Sequence, residues 1–259
     1  MSLSFALSQI SLFRQGESLP SHLLDFSAFA GDLTLALLAL PLLTLVLLLV
    51  TGASLPASSL YTRGLASSGA SLIVVLLLAG SRAERAGGFA SGLALTLAPA
   101  TPFPLPLHLG LDGLSLPFLL LTNLIQFLTI LSLRPSTPRL LEALLALLFL
   151  QWSVLGSFLA LDLLAFFLFF ERSLLPIYFL VLLWGSRERR VRASYRISLY
   201  TLFGSLFRLF NLLYLYGKTG TTEYELLLTL RLPERDQRFL WLTFFLAFAA
   251  KIPLFPLHI

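Results

Sequence analysis

The chain has 259 residues, 57% of them apolar and 12% charged, with a formal charge of +5 and a mean hydropathy of +0.89. A soluble domain of this size carries roughly twice that share of charge, so a water-soluble globule is excluded, and the natural unit becomes the bilayer span of roughly 20 apolar residues. Cysteine is absent, which excludes disulfides, thiolate zinc sites, iron–sulfur ligation and thiol nucleophiles.

Taken in chain order, residues 1–32 carry Arg14 as their one basic residue and no short apolar core ending in a cleavage site, so they do not read as a signal or transit peptide. Seven apolar segments follow. The first spans about 33–50 and tolerates Pro41, as membrane helices can. The second, about 65–80, is short. The connection 81–108 holds Pro99, Pro102, Pro104 and Pro106, which cannot lie together inside a helix. It reads as a surface loop or short hairpin, with a re-entrant piece as the alternative. The third to sixth segments span about 110–133, 140–159, 161–184 and 194–216. The seventh runs from about 239 to 257. The predicted fold is all-α: one transmembrane domain over 1–259, a multipass bundle of about seven helices.

All the basic residues except Lys218 and Lys251 are arginine. Arg63, the pair Arg134 and Arg139, and the group Arg187, Arg189, Arg190, Arg192 and Arg196 fall in alternate loops, on one side of a seven-helix bundle. Positive loops mark the cytoplasmic or matrix side. They form no stripe interleaved with aromatics on a polar face, so nucleic acid is not an expected partner.

Charges inside the apolar segments are the informative residues. Glu171 lies about ten residues from either end of the fifth segment, roughly 15 Å deep. A carboxylate there costs at least ~2.5 kcal/mol and usually marks an ion path. It is a proton-carrier candidate, with a static ion pair as the alternative. Lys251 lies in the seventh segment, and Pro253 and Pro256 break the helix after it. Broken helices at membrane depth are tolerated where they line a polar cavity. A lysine snorkelling to the interface is the alternative there. His258 follows within the same short stretch. Arg208 is central in the sixth segment and is the candidate partner of Glu171 if the fifth and sixth segments pack; facing another subunit is its alternative. Arg172, rotated by about 100° from Glu171, cannot share its face. His22 and His108 are isolated. No histidine pair has metal-ligand spacing, no Ser/His/Asp set has supporting context, and no Gly-rich phosphate loop is present, so no catalytic, metal or cofactor-binding residue is expected.

Several stretches resemble one family. They are Asp112-Gly113-Leu114-Ser115-Leu116, Leu163 to Glu171 followed by Leu174-Leu175-Pro176-Ile177, Trp184 to Ala193, Leu199 to Ser205, Gly220-Thr221-Thr222, and Phe248 to His258. The chain is similar, over roughly 107–259, to the chain 4 family of the proton-pumping NADH:ubiquinone oxidoreductase (respiratory complex I) of the mitochondrial type. The glutamate and lysine motifs are shared with the wider antiporter-like class, whereas the Gly-Ser-Arg-Glu-Arg loop and the Gly-Thr-Thr element look specific to chain 4.

The resemblance implies that Glu171 and Lys251 form a coupled pair in a proton half-channel, with His258 as the histidine of the broken seventh helix. It implies the N-terminal, antiporter-like half of a fourteen-helix protein in the mitochondrial inner membrane, or alternatively a bacterial plasma membrane. It implies no cofactor on this chain, with NADH, flavin (FMN), iron–sulfur clusters and ubiquinone handled by other subunits. The implied partners are other membrane-arm subunits, membrane lipids and, if the gene is split, a second chain carrying the remaining half; a partial record of a longer protein is the other reading. Arg172 and Arg208 depart from the family, which has small or apolar residues there. A subunit of a multisubunit cation/proton antiporter is the rival functional reading.

Overall fold

A computed structural model describes residues 21–82, 94–97, 105–185 and 188–252. Helix α1 covers Ser21–Thr51, and a short 3-10 turn at Gly52–Ser54 leads to α2, Ala57–Arg82. Strands β1, Ala94–Leu97, and β2, Leu105–His108, pair antiparallel with Ala94 opposite His108 and Leu97 opposite Leu105. Helices α3, Ser115–Ser132, and α4, Leu140–Leu159, follow. Then come α5, Leu163–Arg172, and α6, Leu174–Trp184. Next are the long α7, Arg190–Thr219, the short α8, Tyr224–Thr229, and α9, Glu234–Lys251. The architecture is a multipass helical bundle in which one small hairpin interrupts the helices. Among the described residues, six helical stretches are long and apolar enough to cross a membrane, α5 and α6 together counting as one; α9 is not among them.

The hairpin falls in the 81–108 connection. Several boundaries differ from the apolar runs, the start of α1 at Ser21 among them, and the reason is shared. Apolar composition marks where a helix meets lipid, not where its hydrogen bonding starts. Helix α2 therefore begins at Ala57, eight residues before the apolar run, and is long enough to span as 57–80. Arg63 consequently lies inside α2, reaching Thr51 Oγ1 at 3.4 Å, rather than in a loop. Helix α7 likewise extends to 190–219; Gly220, at φ 71°, takes the left-handed conformation that ends it. Helix α9 starts in the charged run Glu234–Arg238, and Asp236 in its first turn complements the helix dipole.

The fifth segment is two helices. Pro176 lacks the N–H that would bond the Arg172 carbonyl, and its ring crowds that carbonyl, so helical pairing stops and restarts at Ser173. The discontinuity thus falls one residue after Arg172, beside Glu171. The expected break after Lys251, at Pro253 and Pro256, lies outside the described residues, as does His258. Of Lys251 itself, the backbone closes α9 and the side chain lies outside the described residues.

Helices α1 to α4 pack together around two apolar clusters. One, including Leu37, Val75, Leu119 and Leu155, lies toward the hairpin end. The other, including Leu48, Leu60, Ile130 and Leu144, lies toward the opposite end. Helix α5 packs on α4, α6 and α7 pair, and α9 lies along α7. The chain alternates direction, so the loop 133–139 and the segment 185–189 share one end. A Trp184 Nε1 bond to the Pro138 carbonyl at 3.3 Å ties them together. This arginine-bearing end carries Arg134, Arg139, Arg189, Arg190 and Arg192. The hairpin, the loop 160–162 and the segment 220–233 share the other end.

Candidate functional site in the membrane

Glu171 occupies the last turn of α5, and Arg208 the middle of α7. Their closest oxygen and nitrogen, Oε1 and Nη1, lie 3.7 Å apart. The arginine side chain is 3% exposed and the glutamate 16%. Packing of α5 against α7 therefore brings together the pair that chemistry alone had matched. The guanidinium carbon sits 4.7 Å from the centroid of the Phe170 ring and 5.1 Å from that of Phe248. These faces stabilise a cation where water is scarce. None of the three guanidinium nitrogens has a hydrogen-bond partner among the described residues, so Arg208 is held by charge and ring faces alone.

Arg172 points elsewhere, as the 100° rotation requires. Its guanidinium carbon lies 4.7 Å from the Trp152 ring centroid and 5.5 Å from that of Phe169, on the α4 side. Both arginines sit near the C-terminal end of α5, where the helix dipole favours positive charge.

A neutral polar layer that the sequence reading missed lies between the two apolar clusters. Gln151 Nε2 donates to Ser71 Oγ at 2.8 Å and to Asn123 Oδ1 at 2.9 Å. Asn123 Nδ2 donates to the Leu119 carbonyl at 2.8 Å. Thr44 and Ser67 hydroxyls meet at 2.9 Å. Gln151, Asn123 and Ser71 are each at most 1% exposed. Their signal was available as amides inside apolar runs, but scattered neutral residues barely change the hydropathy of a span.

At the hairpin end, His108 Nδ1 lies 3.1 Å from Glu223 Oε1. His108 is therefore not isolated. Backbone bonds from Leu161 N to the His108 carbonyl, from Leu163 N to the Thr222 carbonyl and from Tyr224 N to the Leu161 carbonyl stitch three connections together. Among the described residues, no group of three or more His, Cys, Asp or Glu is placed to hold a metal ion.

The proline-interrupted fifth segment, the intramembrane ion pair and the helical bundle describe a multipass membrane protein with a buried charge pair. Residues 160–259 match the transmembrane family described as NADH:quinone oxidoreductase/Mrp antiporter. The particular relatives are chain 4 of NADH-ubiquinone oxidoreductase. The chain is 48% identical to that of Metridium senile over 155 residues, 60% of this chain and 32% of the relative. It is 42% identical to that of Arabidopsis thaliana over 153 residues, 59% of this chain and 31% of the relative. The resemblance to chain 4 read from the motifs therefore holds. Among solved structures, respiratory complex I from Thermus thermophilus with bound NADH matches with a TM-score of 0.70 and 36% identity, over 87% of this chain and 45% of that one. An archaeal membrane-bound sulfane sulfur reductase matches with a TM-score of 0.73 and 18% identity, over 86% and 45%, which shows the fold alone. The chain spans about a third of the length of the curated relatives it matches.

Proposed function

We propose that this chain forms part of a proton-translocating membrane-arm subunit of a respiratory NADH:quinone oxidoreductase, in which Glu171 accepts and releases a proton. The single observation that carries the reading is a half-buried carboxylate at a helix discontinuity within the membrane, balanced by the Arg208 cation. A charge at that depth is expensive and persists where it lines an ion path or is paired. Here it is paired yet only part-enclosed, which leaves the carboxylate open to proton exchange.

In this reading Lys251 and His258 continue the proton path beyond Glu171, and close charges influence one another's protonation strongly because water is scarce. Redox chemistry with NADH, FMN, iron–sulfur clusters and ubiquinone belongs to other subunits, and this chain binds none of them. Its partners are the other membrane-arm subunits, lipids and whichever segment supplies the rest of the family's length. Its site is the mitochondrial inner membrane, as the names of its relatives suggest. The antiporter part of the family description supports a second reading, cation/proton exchange without quinone chemistry.

The test is Glu171→Gln in the assembled complex, which keeps the side chain's shape and removes its titration. Protons moved per NADH oxidised should fall while assembly and the Arg208 contact persist. An unchanged ratio would sink the proposal. Proton movement that requires sodium and ignores NADH would favour the second reading.

A further inference from the structure

We propose that the outer face of α5 and α6 centred on Arg172 is an interface, covered by a transmembrane helix from outside these 259 residues that carries an Asp or Glu at the depth of Arg172. The inference concerns assembly and stands whether or not Glu171 carries protons.

Arg172 closes the 10 residues of α5, and the 11 residues of α6 follow after Ser173, so it sits near the middle of the span 163–184. Ten helical residues rise roughly 15 Å, which is too deep for the side chain to snorkel to either interface. Trp152 and Phe169 present their rings to the guanidinium carbon at 4.7 and 5.5 Å. Ring faces attract the charge, but they neither cancel it nor supply oxygen acceptors for its five N–H donors. Among the described residues Arg172 has no ion-pair or hydrogen-bond partner. The neighbouring carboxylate, Glu171, is held by Arg208. Two guanidinium groups thus stand beside one carboxylate, and this level of the described bundle lacks one negative charge.

Unlike Arg208, Arg172 is only half-buried and reaches the outside of the bundle. Leu168, Leu175 and Phe179 lie on the same face and are all exposed. Counted from Leu168, the four residues follow at spacings of four, three and four, the pattern of a seam between two helices. A purely apolar stripe would suit lipid chains equally well. A cation at its centre does not, because ionisable groups at this depth face protein or a water-filled cavity and are paired. The stripe offers no second polar side chain to line such a cavity. Lipid phosphates lie about 15 Å away, beyond half the thickness of the hydrocarbon core. A carboxylate on a covering helix supplies the missing charge and accepts two of the edge N–H groups at once.

The parent complex is tested first. Leucine is replaced during growth by its diazirine analogue, membranes are irradiated, and cross-links from positions 168 and 175 are mapped by mass spectrometry. Both positions should capture one transmembrane helix outside residues 1–259, with an Asp or Glu between the two captured points. Cross-links to lipid alone, to residues within 1–259 alone, or to a helix without an acid there would overturn the proposal. A charge cycle then tests the pairing. Arg172→Leu strands the carboxylate, so the cross-link yield from position 168 should fall by at least about tenfold. Replacing the acid by leucine as well should restore most of it, since an apolar pair is tolerated where a lone charge is not. If Arg172→Leu fails to assemble, assembly regained in the double variant is the same result. An unchanged yield in Arg172→Leu, or no recovery in the double variant, would refute the pairing. Neither outcome alters what the proton ratio of Glu171→Gln reports, so the two proposals fail separately.

Discussion

The first four helices and the last five elements solve the same problem in opposite ways. In α1 to α4 the buried polar groups are neutral, and Gln151, Asn123 and Ser71 bond one another in a layer between two apolar clusters, with Gln126 Nε2 and Gln151 Oε1 left without a partner among the described residues. In α5 to α9 the buried polar groups include charge: an ion pair at 3.7 Å beside the proline-interrupted fifth segment. A neutral layer with short bonds specifies how helices meet and has no charge to change. A loosely enclosed charge pair is poor glue, because desolvation offsets much of its attraction, yet its state can be altered by one proton. The first half of the described chain is thus a scaffold, and the second carries the variable charge.

Removing one charge should produce the largest effect. Arg208→Leu leaves Glu171 without its buried cation, and breaking a buried pair this way typically costs ~3–5 kcal/mol. We expect a marked fall in the heat-aggregation midpoint of the chain in detergent-solubilised membranes. Adding Glu171→Leu should restore most of the loss, since replacing both partners with apolar groups is often neutral. If the double variant is as unstable as the single one, the pair is not where the charge balance lies.

The neutral layer should respond less, and in a different readout. Gln151→Leu removes the donor shared by Ser71 and Asn123 and strands two buried acceptors at about 1–3 kcal/mol. The aggregation midpoint should fall while the proton ratio of surviving complex stays unchanged. A lowered ratio with an unchanged midpoint would contradict the division between scaffold and charge carrier.

How much of this was legible in the sequence depends on the distance between the residues concerned. Apolar runs located the membrane spans because lipid contact is written residue by residue. Glu171 and Arg208 were matched because a charge at mid-span has few candidate partners. The break at Ser173 went unread although Pro176 was visible, since a proline after a turn start leaves the apolar pattern intact. His108 and Glu223 lie 115 positions apart, and nothing in the spacing of either announces the other. The layer around Gln151 was hidden for a related reason: its members sit on different helices, each a lone amide or hydroxyl in an apolar run.

Between these extremes lies the close approach of α4 and α5. A methyl group added at Gly156 would run into the Phe169 ring, which also meets Trp152 edge-on at 5.6 Å. Gly156→Ala should therefore push α5 away from α4 at about 1–3 kcal/mol of overpacking. Because α5 carries Glu171, a lowered proton ratio should accompany the lowered midpoint. A change in midpoint alone would mean that the position of α5 on the scaffold does not set the geometry of the ion pair.

The smallest effect belongs to the clasp at the hairpin end. His108 and Glu223 side chains are both 28% exposed, and such partly solvated pairs contribute about 1 kcal/mol or less. Glu223→Gln keeps an acceptor for the imidazole and should leave the midpoint nearly unchanged. His108→Ala removes the side-chain link but not the backbone bonds among 108–111, 159–163 and 222–224, which hold the three connections independently. Limited proteolysis of the 220–233 segment should therefore differ little between His108→Ala and the parent. Rapid cleavage there in His108→Ala would mean that the side-chain clasp, and not the backbone stitching, closes this end of the bundle.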